Sequence, residues 1–247
     1  MQIELSLGDP SFTMLHSAGL AGLWMTLHQL DREGVKCEGL TWKLADRSIS
    51  LTIDGSNLVA LQWLLQESFQ LQDGTIALRG LDAKSMQLQA LAIVHQGILG
   101  TFLQHNSTHK SAGTKTINFE LDENKIISIT SKSLNSYAYQ DFAASLCDKN
   151  GELSTKPINV AGWLNPGAAV RHVAFSSNTS ISESAINALL LLFAPVACYY
   201  YILRSKLRDK RAQYALVIPE ITNLAAFAKY KQNIHSRYAT YQDFHAS

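Results

Sequence analysis

The chain has 247 residues, of which 47% are hydrophobic and 17% charged, and its formal net charge is +1. That length buries a full core, as one large domain or two small ones, and the composition excludes a disordered or low-complexity protein. A net charge so close to zero means that any nucleic-acid contact must come from local clustering of cations. The three cysteines, Cys37, Cys147 and Cys198, are scattered and odd in number. They form no disulfide framework, which fits a reducing cytosol and predicts a cytoplasmic protein. The opening MQIELSLGDP lacks a basic segment followed by an apolar one, so no signal peptide is expected.

Taken in order, Ile3 to Leu7 alternates and predicts a strand. Gly8-Asp9-Pro10 turns, Ser11 is the expected N-cap, and Phe12 to Glu33 predicts a long helix with Leu15, Leu20, Leu23, Leu27 and Leu30 on one face. The small residues Ala18, Gly19, Ala21 and Gly22 predict another element packed closely against it. Leu40 to Ile53 predicts a hairpin, and Ser56 or Asn57 caps a helix through Phe69. Asp73-Gly74 turns into a strand at Thr75 to Leu78, and a helix follows from Asp82 or Ser85 to about Gln96. Gln104 to Lys115 is polar and predicts an exposed loop. Ile117, Phe119 and Leu121, then Ile127 and Ile129, predict a second hairpin turning at Asp122-Glu123-Asn124, with Ser131 to Ser136 as a polar break. Tyr137 to Leu146 is a strand or a short helix.

Asp148-Lys149-Asn150-Gly151 turns and is the best boundary between an N-terminal α+β region, 1–150, and a second one, 151–247, with one continuous domain as the alternative. Val160 to Phe175 holds Gly162, Pro166 and Gly167 and is not one regular element. Glu183 to Phe193 predicts a helix capped by Ser182 and ended or kinked at Pro195. Val196 to Leu203 and Leu216 to Ile218 predict strands, and Ile221 to Ile234 a final helix. The expected class is α+β, with mixed or antiparallel sheets and hairpins packed by several helices.

The apolar run 185–203, followed by basic residues, must be tried as a membrane span. Asn187 and Pro195 interrupt it, and a buried helix followed by a buried strand explains the same letters, so no membrane partner is expected and an anchor over 185–203 is kept as the alternative. Arg204, Lys206, Arg208, Lys210 and Arg211 follow at once, opposed only by Asp209. If the strand continues, alternate cations share one face at about 7 Å spacing and make a ridge for phosphates. The competing reading is a solvated hairpin tip. Lys110 and Lys115, with His105 and His109, form a second basic candidate. Arg171-His172, inside an apolar segment broken by Gly and Pro, is either a buried ion pair or a presented contact.

His105-x-x-x-His109 has zinc-like spacing but no cysteine or acidic ligand nearby, so no metal is expected. No phosphate-binding glycine loop, nucleophile elbow or metalloprotease motif is present, and no cofactor or catalytic residue is expected.

Four stretches in order carry a family resemblance: H-S-A-G-L-A-G-L-W-M-T-L (His16 to Leu27), I-L-G-T-F-L-Q-H (Ile98 to His105), G-W-L-N-P-G-A-A-V-R-H-V-A-F (Gly162 to Phe175) with L-L-F-A-P-V-A-C-Y-Y (Leu191 to Tyr200), and L-V-I-P-E-I-T-N-L-A-A-F (Leu216 to Phe227). They resemble the N-terminal part of the large subunit of MYXAN-type, or DevT-like, CRISPR effector complexes. The resemblance implies a non-enzymatic subunit of a Cascade-type surveillance complex. Its expected partners are the crRNA at its 5′ end, target double-stranded DNA at the protospacer-adjacent motif, and Cascade backbone subunits, with nuclease or transposition proteins recruited later. A purely structural bridge between subunits is the alternative. Bottom-up, the expected nucleic-acid contacts are Arg204, Lys206, Arg208, Lys210, Arg211, Lys110, Lys115 and Arg171.

Overall fold

The structure, a computed structural model, describes residues 1–122, 125–160, 162–166, 181–203 and 213–235. It is an α+β fold in which every described strand pair is antiparallel. Strand β1 (Gln2–Ser6) adds to the hairpin of β2 (Leu40–Leu44) and β3 (Ser48–Ile53), giving the order β1-β3-β2. Their alternate residues Ile3, Leu5, Ile49, Leu51 and Ile53 are buried, as a half-solvated sheet requires.

Helix α1 (Met14–Glu33) is capped by Thr13, not Ser11. The Ser11 hydroxyl and amide are both spent on the Asp9 carboxylate, at 2.7 and 2.8 Å. Thr13 instead accepts from the His16 amide while its own amide donates to His16 Nδ1 at 3.2 Å, a reciprocal cap with histidine in the usual Glu/Gln position. Gly34, at φ 67°, closes the helix in the left-handed conformation.

The element packed closely on α1 is helix α5 (Ala185–Ala197). A Cβ on Gly19 would lie 2.1 Å from the Leu190 carbonyl oxygen, and one on Gly22 would lie 2.0 Å from that of Phe193. The small-residue patch is therefore a backbone-to-backbone crossing. Ser184 caps α5, with its Oγ accepting from Asn187 at 3.1 Å. Ser182 falls in the short strand β9 (Ile181–Glu183), paired with β8 (Ile158–Val160). Pro195 lies inside the last turn rather than ending the helix before it. The Pro195 carbonyl accepts from Tyr200 Oη at 2.8 Å.

The membrane reading of 185–203 is overturned. At 13 residues α5 spans about 20 Å against about 30 Å of hydrocarbon, and among the described residues no helix is long and apolar enough to cross a membrane. The run's second half is strand β10 (Tyr199–Leu203), paired with β11 (Gln213–Val217).

Helix α2 (Asn57–Ser68) begins at its Ser56 cap and passes directly into β4 (Phe69–Gln72), which turns through Asp73-Gly74 into β5 (Thr75–Leu78). Both turn residues have positive φ, 49° and 74°, as an Asp-Gly hairpin turn of this type needs. The next helix, α3 (Leu88–Thr101), starts later than its apolar pattern predicts and runs through Gly97 and Gly100. Those glycines do not end it; they make room for the side chains of Tyr200 and Tyr214, whose nearest atoms lie 2.5 and 2.3 Å from where a Cβ would stand.

The expected loop after it holds only to Thr108, and β6 (His109–Asp122) begins there. Its partner β7 (Lys125–Tyr137) passes straight through the expected polar break. The undecided segment 137–146 becomes a 3₁₀ turn followed by a single helical turn, α4 (Ala143–Leu146). The turn at Asp148 to Gly151 forms as expected, with Asp148 Oδ1 accepting from Asn150 and Glu152 at 2.8 and 3.1 Å.

The last helix, α6 (Leu224–His235), starts after Asn223, whose Oδ1 accepts from the Ala226 amide at 2.7 Å. Its Lys231 is buried and donates to the carbonyls of Ala197 and Cys198, both at 2.7 Å. The ammonium thus sits on the free carbonyls at the C-terminal end of α5, over the Tyr199 ring, and burial pushes its pKa down to about 7.

One cluster of buried apolar side chains runs from Ile3 to Ala228. Beside it, Arg79 is buried and bridges Glu33 and Glu67 while its Nε donates to the Glu67 carbonyl at 2.7 Å. Among the described residues, removing the guanidinium leaves Glu33 held by Lys84 and Gln29 alone and Glu67 by Gln70 alone. Arg79→Ala is expected to lower the unfolding free energy by about 3 kcal/mol, read by urea denaturation.

Candidate nucleic-acid interface

Strands β6 and β7 form a two-stranded ribbon, long enough at 14 and 13 residues to extend about 40 Å. It is packed mainly on itself, touching the body through α3, β4 and β5. Its inward face carries Ile117, which packs on Ala92 of α3, and the buried Ser131. The opposite face presents three directly paired positions, Thr114↔Lys132, Thr116↔Thr130 and Asn118↔Ser128, all six of them exposed. The Thr116 and Thr130 hydroxyls are 2.9 Å apart, and Ser128 Oγ donates to Asn118 Oδ1 at 2.8 Å. These cross-strand bonds hold the polar face in register.

Three contacts fix the ribbon's base. The Leu134 amide donates to the Gly74 carbonyl at 2.9 Å. Gly74 has no room for a side chain, since a Cβ would lie 1.9 Å from Ser133 Oγ. The third is His95, buried on α3, whose Nδ1 accepts from the Ile76 amide at 3.1 Å and whose Nε2 donates to the Lys132 carbonyl at 2.7 Å. That pair of bonds requires a neutral ring protonated on Nε2.

Burial drives the His95 pKa below its ordinary value, with His109 and Lys115 adding to the effect against the opposing bond to the Lys132 carbonyl. The folded state therefore binds fewer protons than the unfolded one between its depressed pKa and about 6.5. The clasp contributes fully above about pH 6.5 and is lost as pH falls below it. Protection factors of the Ile76 and Leu134 amides, taken relative to the intrinsic exchange rate, are expected to fall as pH drops from about 7.5 to about 5.5, and His95→Gln to flatten that response.

Around the base the charge is one-sided. No Asp or Glu occurs from Ala83 to Phe119 or from Lys125 to Gln140, while Lys84, Lys110, Lys115, Lys125 and Lys132 do. Among the described residues no carboxylate is within ion-pair distance of Lys110, Lys115 or Lys132. Lys132 Nζ donates to Asn106 Oδ1 at 2.8 Å and lies 3.5 Å from His109 Nε2. Burial first, then Lys132, holds the His109 pKa below its ordinary value. An unneutralised ammonium, with the Asn106 amide beside it, offers donors suited to a phosphate oxygen.

Of the residues singled out from sequence, Lys110 is exposed on β6 and Lys115 is half-buried on the inward-facing register. A register shift at Ser111 to Gly113 separates them. Arg171, Arg204, Lys206, Arg208, Lys210 and Arg211 lie outside the described residues. His105 and His109 do not converge as ligands: His105 Nδ1 meets Ser107 Oγ at 2.6 Å and His109 Nδ1 meets Thr108 Oγ1 at 3.2 Å. Reading Ser131 to Ser136 as a break hides Lys132, reading Gln104 to Lys115 as a loop hides Asn106, and the polar face emerges only with the β6–β7 register. The long carboxylate-free run was the signal that finds them.

The fold is α+β, and the base of its ribbon presents exposed lysines with no carboxylate in ion-pair distance among the described residues. Residues 4–192 match the DevT N-terminal domain family, and the chain belongs to that family. It is also 29% identical, over 177 residues, to a protein of Myxococcus xanthus (strain DK1622) named CRISPR-associated protein Cas8a1/Csx13. That match covers 70% of this chain and 29% of the relative, so the chain spans under a third of the relative's length.

Proposed function

We propose that the chain serves as the large-subunit component of a CRISPR RNA-guided surveillance complex, in which it binds target DNA beside the protospacer-adjacent motif and the 5′ end of the crRNA and helps to begin strand opening. The observation that carries this reading is membership in the DevT N-terminal domain family across residues 4–192. The carboxylate-free stretches 83–119 and 125–140 support it, because a protein of net charge +1 must concentrate its cations to hold a polyanion. The role is one of binding and positioning: phosphate contacts set register, a few base contacts read the motif, and guide pairing reads the rest. No chemical step is assigned to the chain, and recruitment of a nuclease or of transposition proteins falls to other subunits.

The test is assembly. Expressed with the genes of a neighbouring guide-RNA locus and captured through an affinity tag, the chain is expected to bring down crRNA and the backbone subunits as one particle. That particle is expected to bind motif-bearing duplex. Capture of the chain free of RNA would contradict the reading. A particle that binds its target equally well without the chain's ribbon would favour a structural bridge.

A further inference from the structure

The outward face of the β6–β7 ribbon has a composition that simple electrostatic attraction does not explain. Thr114, Thr116, Asn118, Ser128 and Thr130 are exposed hydroxyl and amide side chains on one flat, doubly cross-bonded patch. No carboxylate stands among them, and Lys132 closes the patch at its base. The remaining cation of the outer strand region, Lys110, is exposed beyond the Ser111–Gly113 register shift, where Gly113 adopts φ 112° and the extra residue strengthens the local twist.

A twisted two-stranded ribbon is about as wide as the major groove of B-form DNA, roughly 12 Å, and that groove displays donors, acceptors and thymine methyls in a code unique to each base pair. Asn pairs with adenine edges, Ser and Thr with either donors or acceptors, and the threonine methyl with the thymine methyl. The deep, narrow major groove of an A-form duplex does not admit such a ribbon.

We propose that the Thr114/Thr116/Asn118–Ser128/Thr130 face of this ribbon enters the major groove of double-stranded DNA, with Lys132 and Lys110 on the flanking phosphates. The assignment rests on the function proposed above and gives it a reading surface. It divides the labour by chemistry: the neutral patch carries sequence preference and the two lysines carry salt-dependent affinity. Substituting Thr116, Asn118, Ser128 and Thr130 together by alanine then leaves the salt slope unchanged and flattens discrimination between duplex sequences. Replacing Lys110 and Lys132 does the reverse, and all six positions are exposed enough for the fold to survive, which a cooperative melt checks.

The direct test tethers an iron–EDTA cleavage reagent to Asn118→Cys in the full chain, with Cys37 and Cys147 replaced by serine and the buried Cys198 retained. The probes are a mixed-sequence DNA duplex and its RNA counterpart at about 50 mM salt. The expected result is cleavage of both DNA strands with the strand offset of a source in the major groove, and none of the RNA duplex. Minor-groove offset, or a bound DNA duplex left uncut, overturns the inference and leaves the proposed function standing on other surfaces. Equal cleavage of RNA, or no duplex binding by the chain, also overturns it, whereas failure of the chain to join a crRNA-containing particle sinks the proposed function itself.

Discussion

Lys110→Ala with Lys132→Ala is expected to weaken target-duplex binding by the assembled particle on the order of 50-fold and to make the salt slope shallower by about 2. Each lysine that meets a phosphate releases close to one counterion, so the slope counts contacts while the affinity measures their summed strength. Lys115→Ala is the internal comparison. It carries the same charge on the same strand, but it is half-buried on the register that faces α3, and its loss is expected to cost only a few-fold. Filter binding across a salt series distinguishes the two. Equal effects from all three lysines would mean that the ribbon acts as diffuse charge and that its geometry is irrelevant.

The second large effect is on folding. Gly→Ala in a helix interior ordinarily stabilises by roughly 0.5–1 kcal/mol, because glycine loses more chain entropy on folding. At Gly19 and Gly22 the sign is expected to reverse. The added methyl would stand 2.1 and 2.0 Å from carbonyl oxygens of α5, backbone atoms that no rotamer change can move aside. The helices must separate, and both are buried nearly all round, so the loss spreads through the central core. Gly19→Ala with Gly22→Ala is expected to cost about 4 kcal/mol or more in urea denaturation, a large share of a typical domain's 5–15 kcal/mol. Ala18→Gly on the same helix, at a buried position, is expected to cost about 2 kcal/mol, propensity plus one lost buried methyl.

Much of the fold was legible because local signals and burial agreed. Alternation located β1, β2 and β3, Ser56 marked α2, Asp73-Gly74 marked its hairpin, and the small patch on α1 announced the close crossing with α5. The failures share a cause: a residue's usual meaning was displaced by a partner distant in sequence. Gly97 and Gly100 looked like a helix end, yet they are interior positions that make room for Tyr200 and Tyr214. Ser131 to Ser136 looked like a break because its polar residues have no local pattern, but cross-strand pairing with β6 makes it a strand. Pro195 looked like a stop, yet the helix runs on to Ala197 and Tyr200 Oη bonds the Pro195 carbonyl. The apolar run 185–203 looked long enough for lipid only because a helix and a strand follow one another without a polar break.

The site was half legible for the same reason. Lys110 and Lys115 were found by charge alone, which does not reveal that a register shift divides them or that one faces inward. Lys132 becomes visible only once β7 is a strand, because its partners Asn106 and His109 lie 26 and 23 residues away in sequence. The family resemblance read from His16 to Leu27, Ile98 to His105 and Gly162 to Phe175 agrees with the match to the DevT N-terminal domain over residues 4–192. Two of its quoted stretches, in Leu191 to Tyr200 and Leu216 to Phe227, extend past residue 192, the end of that match.

Amide hydrogen exchange of the chain within its particle, with and without a motif-bearing duplex, bears most directly on the ribbon as the DNA-contacting element. Slowed exchange is expected across 106–118 and 128–134, with the three-stranded β1-β3-β2 sheet unchanged. Protection confined to other segments, with the ribbon exchanging as fast as in the free particle, would contradict it.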